Sequence, residues 1–401
     1  MTDHNNSLHA AAEDTRDAAR ELFLDRSQLN QLIRMLTDDG YQVAGPTIDQ
    51  GAITYGEISS VSDLPVGWTD IQEPGKYRLE QRDDEACFGY VVGPHSWKKY
   101  LFPPRTIVAE SERQETGWHF STPEPQSARY AFLGVRACEL AAIRIQDRIF
   151  LEGVCIDPVY QQRRAAAFII AVNCTQAAAT CFCTSMNSGP RCTGGFDLAL
   201  TENADGFLME IGSASGQVVA ERLSLLPATQ KQQQNASAAR QQATAQISRQ
   251  LNSDGIHDLL MQNLRHPHWD EVASRCLSCT NCTMVCPTCF CSSVKDISDL
   301  TGDHVSRERT WDSCFNIGFS SMNGAPVRDS ISSRYRQWLT HKLATWHDQF
   351  GSSGCVGCGR CITWCPVGID LTQEVAALRS AVEPATSRHS ASDPENAEVS
   401  P

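Results

Sequence analysis

The sequence predicts an α+β protein: a mixed α/β unit over residues 27–227, then a helical unit over 265–382. Three observations carry that division. Short apolar runs punctuated by Gly and Pro fill the first part. A Gln- and Ala-rich stretch without either breaker follows at 228–250. Beyond it, apolar residues recur at steps of three and four. A chain of 401 residues suits two or three domains of ordinary size.

In order along the chain, residues 1–26 are expected to be a flexible N-terminus. Ser27 is the expected N-cap of a helix whose Leu29, Leu32, Ile33 and Leu36 share a face, stopping near Gly40. Extended runs are expected at 52–58, 77–81, 87–92, 130–135, 166–172 and 197–200. The run at 130–135 feeds a helix over 138–150. The apolar run 166–172 suits a strand buried on both faces. Residues 228–264 read as a solvated helical linker and a domain boundary. Ile331, Tyr335, Trp338, Leu339, Leu343, Trp346 and Phe350 predict one long amphipathic helix. Asp370 is the expected cap of a last helix carrying Leu371, Val375, Leu378 and Val382. Residues 383–401, rich in Ser, Pro, Ala and Glu, are expected to be a disordered tail.

Hydrophobic residues make up 41% and charged residues 20%, as in ordinary globular chains. The net charge of −13 argues against a nucleic-acid binder, which needs clustered Lys and Arg. The longest apolar run, 165–172, is far short of the ~20 residues that span a bilayer, and residues 1–16 show no export signal. Neither a Gly-rich nucleotide loop nor a Ser/His/Asp arrangement is present, and the 11 His show no metal spacing.

Cysteine is the unusual residue, with 18 in the chain. Without an export signal, clustered cysteines point to metal or redox chemistry rather than disulfides. Cys276-x2-Cys279-x2-Cys282-x3-Cys286-Pro287 is matched by Cys355-x2-Cys358-x2-Cys361-x3-Cys365-Pro366. This is the bacterial ferredoxin run, complete twice. Three thiolates wrap one loop around a cubane, and the Cys before Pro reaches the other cluster. The expected sets are Cys276, Cys279, Cys282 and Cys365 for one [4Fe–4S], and Cys355, Cys358, Cys361 and Cys286 for the second. Structural zinc on four thiolates would leave four cysteines and both Cys-Pro steps unexplained. The long connection between the runs, with a helix in it, is that of an α-helical ferredoxin domain.

Cys-Pro-Thr-Cys-Phe-Cys (286–291), Trp311-Asp312-Ser313-Cys314, and Arg334-Tyr335-Arg336 through His341-Lys342-Leu343 to Cys361 resemble the family of sulfhydrogenase beta subunits and their anaerobic sulfite reductase counterparts. So do Gly93–Pro104 and Gly134-Val135-Arg136-Ala137-Cys138-Glu139-Leu140. The likeness covers roughly 25–380. It implies the non-catalytic electron-transfer subunit of a cytoplasmic oxidoreductase complex, linking a flavoprotein that oxidises NAD(P)H to a hydrogenase or sulfite reductase catalytic subunit. The rival reading is an Fe–S redox sensor, but no output module accompanies the clusters.

A second group, Cys174-x6-Cys181-x-Cys183-x8-Cys192, follows the buried strand and has the four thiols a third cubane requires; reduced, partly buried thiols are the alternative. Cys87, Cys138 and Cys155 read as core. Cys289, Cys291 and Cys314 stay open between ligand and packing roles. Arg136 and Glu139 mark a strand-to-helix turn that faces a site or forms a surface pair. Lys98 and Lys99 read as a solvated face.

Overall fold

The computed structural model describes residues 21–123 and 128–382. The tail at 383–401 and all but the end of the expected flexible N-terminus lie outside them. An eight-stranded mixed sheet runs in the order Leu226–Pro227, Leu22–Asp25, Gly206–Ile211, Leu198–Glu202, Phe168–Val172, Tyr130–Val135, Gln42–Asp49, Ala52–Glu57. Its four inner strands, from 198–202 to 42–49, are mutually parallel, and antiparallel strands flank them. Phe168–Val172 is buried at every position, as expected of a parallel strand covered on both faces. The helix Ala137–Leu151 crosses between the strands 130–135 and 168–172, so Arg136 and Asn173 emerge side by side at their carboxyl ends.

Several local expectations are corrected. Residues 22–25 are a strand of the sheet, not flexible chain, and Asp25 rather than Ser27 caps the turn leading into the helix Leu29–Asp38. Residues 87–92 form no strand. Their N–H groups go to carboxylates instead: Cys87 and Phe88 to Glu202 at 2.7 and 2.8 Å, and Val91 to Asp70 at 2.8 Å. The Gln/Ala-rich stretch is a helix, Gln230–Gln246, capped by Thr229, but it is not a free linker. Ala236 and Ala243, seven residues apart, are fully buried, and Asn203 and Ala177 bond to Gln232 and Gln246. Small side chains let this helix lie close against the first unit.

The second unit is not purely helical. A hairpin, Ser292–Ser298 and His304–Trp311, pairs with Arg105–Gln114, which pairs with Gly117–Ser121, so both units contribute to one four-stranded antiparallel sheet. The long helix runs over Ile331–Phe350, but a wider turn interrupts it at His341–Thr345. Such turns recur at functional sites. Asp370 caps the last helix, Leu371–Val382, accepting from Thr372 N–H at 2.9 Å.

Candidate iron–sulfur sites

The two ferredoxin runs fold alike. In the first loop Ser278 and Thr280 have φ of +53° and +70°; in the second Gly357 and Gly359, at the same places, have +63° and +77°. Each loop then enters a short helix, Asn281–Met284 or Arg360–Thr363. Ser278 N–H points to the Cys276 sulfur at 3.4 Å, and Gly357 N–H to the Cys355 sulfur at 3.4 Å. Ile369 N–H adds a contact of 3.3 Å to Cys365. Amide donors of this kind offset thiolate charge. The second loop needs its glycines: a Cβ on Gly357 would lie 2.6 Å from Phe182 O, and one on Gly359 2.5 Å from Thr180 O. The first loop has no such neighbour and tolerates side chains, at roughly 1 kcal/mol of strain per left-handed residue.

Cys276, Cys279, Cys282, Cys361 and Cys365 line one cavity, walled by Phe315, Tyr335, Trp338, Ile369 and Leu371. The Tyr335 hydroxyl and Trp338 Nε1 are buried there without hydrogen-bond partners. Orphaned donors facing a ring of thiols fit a group with acceptor sulfurs. Burial raises the Cys276 and Cys282 thiols, and Cys365 and Cys279 raise both further. Cys355, Cys358 and Cys361 are likewise raised by burial, Cys355 to about 12, and each feels Cys286. Cys365 thus stands near the first loop's thiols, while Cys286 acts on all three thiols of the second loop and on Cys282 of its own. Cys361 lines the first cavity as well and stands between the two groups.

Lys342, in the widened turn, is 3% exposed, and its ammonium meets Cys286 Sγ at 3.3 Å, Cys289 Sγ at 3.5 Å, Thr288 Oγ1 at 3.3 Å and Gly354 O at 3.2 Å. Among the described residues no carboxylate contacts it. Burial alone would push its pKa down, yet the cysteines around it hold it well above the usual value. Lys98 is not on a solvated face: it is 4% exposed, donates to Cys289 O at 3.0 Å and lies 3.9 Å over the Trp311 ring. A buried cation without an anion is costly, so these lysines fit negative charge held on the sulfurs. Cys289 donates to Cys286, which falls well below its usual pKa. A hydrogen bond from Cys314 draws Cys291 down to about 7, helped by Lys342 and Lys98. Cys289 and Cys291 therefore extend the edge of the second group, whereas Cys314 also stands near Cys282 of the first.

Arg136 and Glu139 form no surface pair. Glu139, 1% exposed, takes Arg360 (0% exposed), with Tyr55 Oη, Trp97 Nε1 and Arg136 N–H on the same carboxylate. Arg360 sits between Cys358 and Cys361, so this ion pair ties the second loop to the first unit. Cys87 and Cys138 are buried as expected, whereas Cys155 is exposed. Lys342 and Arg360 enter the sequence reading only within the stretches that carry the resemblance, since spacing marks ligands and not their counter-charges. Among the described residues no three His, Cys, Asp or Glu side chains are arranged to hold a single metal ion. A cubane spreads its four thiolates over separate irons and does not require that arrangement.

The chain carries a 4Fe-4S dicluster domain: that family matches residues 275–369, which span both runs. Along most of its length it is similar to the sulfhydrogenase 2 subunit beta of Pyrococcus furiosus, 28% identical over 317 residues, covering 78% of this chain and 92% of the relative. The resemblance expected from the motifs is thus found. No solved structure matches the chain. Among the described residues no helix is long and apolar enough to cross a membrane.

Proposed function

We propose that this chain is the electron-transfer subunit of a cytoplasmic oxidoreductase complex, passing single electrons between a flavoprotein that oxidises NAD(P)H and a hydrogenase or sulfite reductase catalytic subunit. Cys276, Cys279, Cys282 and Cys365 would hold one [4Fe–4S] cluster, and Cys355, Cys358, Cys361 and Cys286 the other. When bound, such clusters cycle between 2+ and 1+ cores, one electron at a time. The observation that carries the reading is the pair of matching loops within a 4Fe-4S dicluster domain. The relative's name, a hydrogenase subunit, supports a place in a complex.

The chain's own residues tune and shield the sites. Amides of Ser278, Gly357 and Ile369 face the sulfurs, and Phe315, Tyr335 and Trp338 keep water from the first. Protein isolated without oxygen is expected to hold at least about eight iron per chain, at four per cubane, with broad thiolate-to-iron absorbance. Stoichiometric zinc without that absorbance would overturn the reading.

Lys342→Met gives a further test. A unit charge ~8 Å from a redox centre, at an effective dielectric near 20, is worth ~2 kcal/mol. For one electron that is on the order of 90 mV. The variant's cluster on the Cys286 side is expected to titrate more negative by about that amount, because the lysine favours the reduced, more anionic form. An unchanged potential would show that Lys342 serves packing alone.

A further inference from the structure

We propose that Cys174, Cys181, Cys183 and Cys192 hold a third [4Fe–4S] cluster in the mixed α/β unit, with Arg136 as its buried counter-charge. The proposal rests on the iron–sulfur reading above and extends it into the first unit.

The segment 173–192 folds back on itself at the carboxyl end of the strand Phe168–Val172. Cys192 N–H donates to Asn173 Oδ1 at 2.7 Å, and Cys174 N–H to Pro190 O at 3.4 Å. Ser188 N–H closes a turn onto Cys183 O at 3.0 Å. Gly189 packs on Cys183, where a Cβ on it would stand 3.3 Å from Cys183 Sγ, so Cys174, Cys183 and Cys192 gather about the turn at 189–190. Arg136 leaves the adjacent parallel strand, Tyr130–Val135, and reaches the same place. Ligands in open α/β sheets lie at this end of the strands.

Arg136 is the decisive neighbour. It is 2% exposed, and its guanidinium donates to main-chain oxygens: Phe88 and Tyr90 at 2.9 Å and Asn173 at 3.3 Å. Cys174 follows Asn173 directly, so the guanidinium that bonds Asn173 O stands at the start of the cysteine segment. Among the described residues no carboxylate forms an ion pair with Arg136: Glu139 is held by Arg360, and Asp70 acts on it only from a distance. Arginine stays charged in proteins. Beside four neutral thiols it would be a buried cation with no anion in contact, which is costly. Four thiolates on a 2+ cubane core sum to about −2, which answers that charge.

The site also abuts the second ferredoxin loop. Phe182 N–H donates to Gly357 O at 2.9 Å, and Ser188 Oγ to Val356 O at 2.5 Å. A Cβ on Gly357 would stand 2.7 Å from Cys183 N and Cα. The close backbone approach continues the line of redox sites from the second unit into the first.

The test is iron and acid-labile sulfide in the full-length protein isolated without oxygen. About twelve iron per chain is expected, falling to about eight in the double variant Cys181→Ser/Cys192→Ser, with the paramagnetic signals of the other two clusters kept. Since a buried serine can cost the fold, Cys181→Ala is the companion variant, read by the same loss of about four iron. Eight iron in the unaltered protein would overturn the third site and leave the dicluster reading standing. No iron at all would overturn both. Twelve iron that persists in the folded variants would overturn the third site by placing the extra iron elsewhere.

Discussion

Arg360→Met is expected to destabilise the folded protein by about 3–5 kcal/mol, the usual cost of breaking a buried ion pair from one side. Arg360 is fully enclosed, donating to Gly93 O at 2.8 Å, His95 O at 2.9 Å and the Glu139 carboxylate. Methionine fills similar volume but leaves Glu139 charged, dry and without its cation, and three main-chain or carboxylate acceptors lose a donor. Tyr55, Trp97 and the Arg136 amide still bond to Glu139, which favours the lower end of that range. Two further contacts would be disturbed at the junction, Thr363 Oγ1 to Gln72 at 2.9 Å and Gly75 N–H to Ile362 O at 3.1 Å. Both join the second loop's helix to the first unit. Arg360 Nη1 has no hydrogen-bond partner, and the guanidinium's charge lowers the Cys358 thiol, so the loop loses a nearby cation as well. Denaturant midpoints followed by cluster absorbance and by tryptophan fluorescence measure the effect. Glu139→Gln alone is expected to destabilise too, and the double variant Arg360→Met/Glu139→Gln by less than the sum of the two. Additive losses would mean that the two side chains do not act as a pair.

Spacing made the cysteine loops legible, because ligand geometry is local: three thiolates on one loop fix the separations directly. The strand Phe168–Val172, the helix Ala137–Leu151 and the Asp370 cap were legible for the same reason, each being written in neighbouring residues. The hairpin 292–311 was not. Lys295, Asp296, Arg307 and Glu308 look like solvated loop, and they form strands because Arg105–Gln114, almost two hundred residues earlier, offers an edge. Four of the buried cations were hidden likewise. Lys98, Arg136, Lys342 and Arg360 read as surface or motif residues until the fold brings acceptors from distant segments around them. Lys98, Arg136 and Lys342 are met by cysteine-rich segments and Arg360 by Glu139, groups that only the tertiary structure brings near. The Gln/Ala-rich helix misled through composition: polar side chains hid the two alanines that dock it.

Cys365→Ser is expected to disable the cluster on the first loop, and Cys286→Ser the cluster on the second, each with a loss of about four iron per chain. Sequence proximity alone would give the reverse, since Cys286 follows Cys282 and Cys365 follows Cys361. The neighbourhoods favour the exchange. Cys365 raises the thiols of Cys276 and Cys282, while Cys286 raises those of Cys355, Cys358 and Cys361 and acts on Cys282 less than Cys365 does. Pro287 and Pro366 lack the amide donor and fix φ where each chain turns away from its own loop. Cys286 also receives the Lys342 ammonium, a contact suited to a ligand sulfur, and lies 3.1 Å from the Thr288 hydroxyl. Spectra decide the pairing without any assignment of signals in advance. Reduced Cys365→Ser is expected to match Cys279→Ser, whose altered ligand lies in the first loop. Reduced Cys286→Ser is expected to match Cys358→Ser. If Cys286→Ser instead reproduces Cys279→Ser, each run serves its own cluster, and the crossing that would bind the two loops into one electron path does not exist.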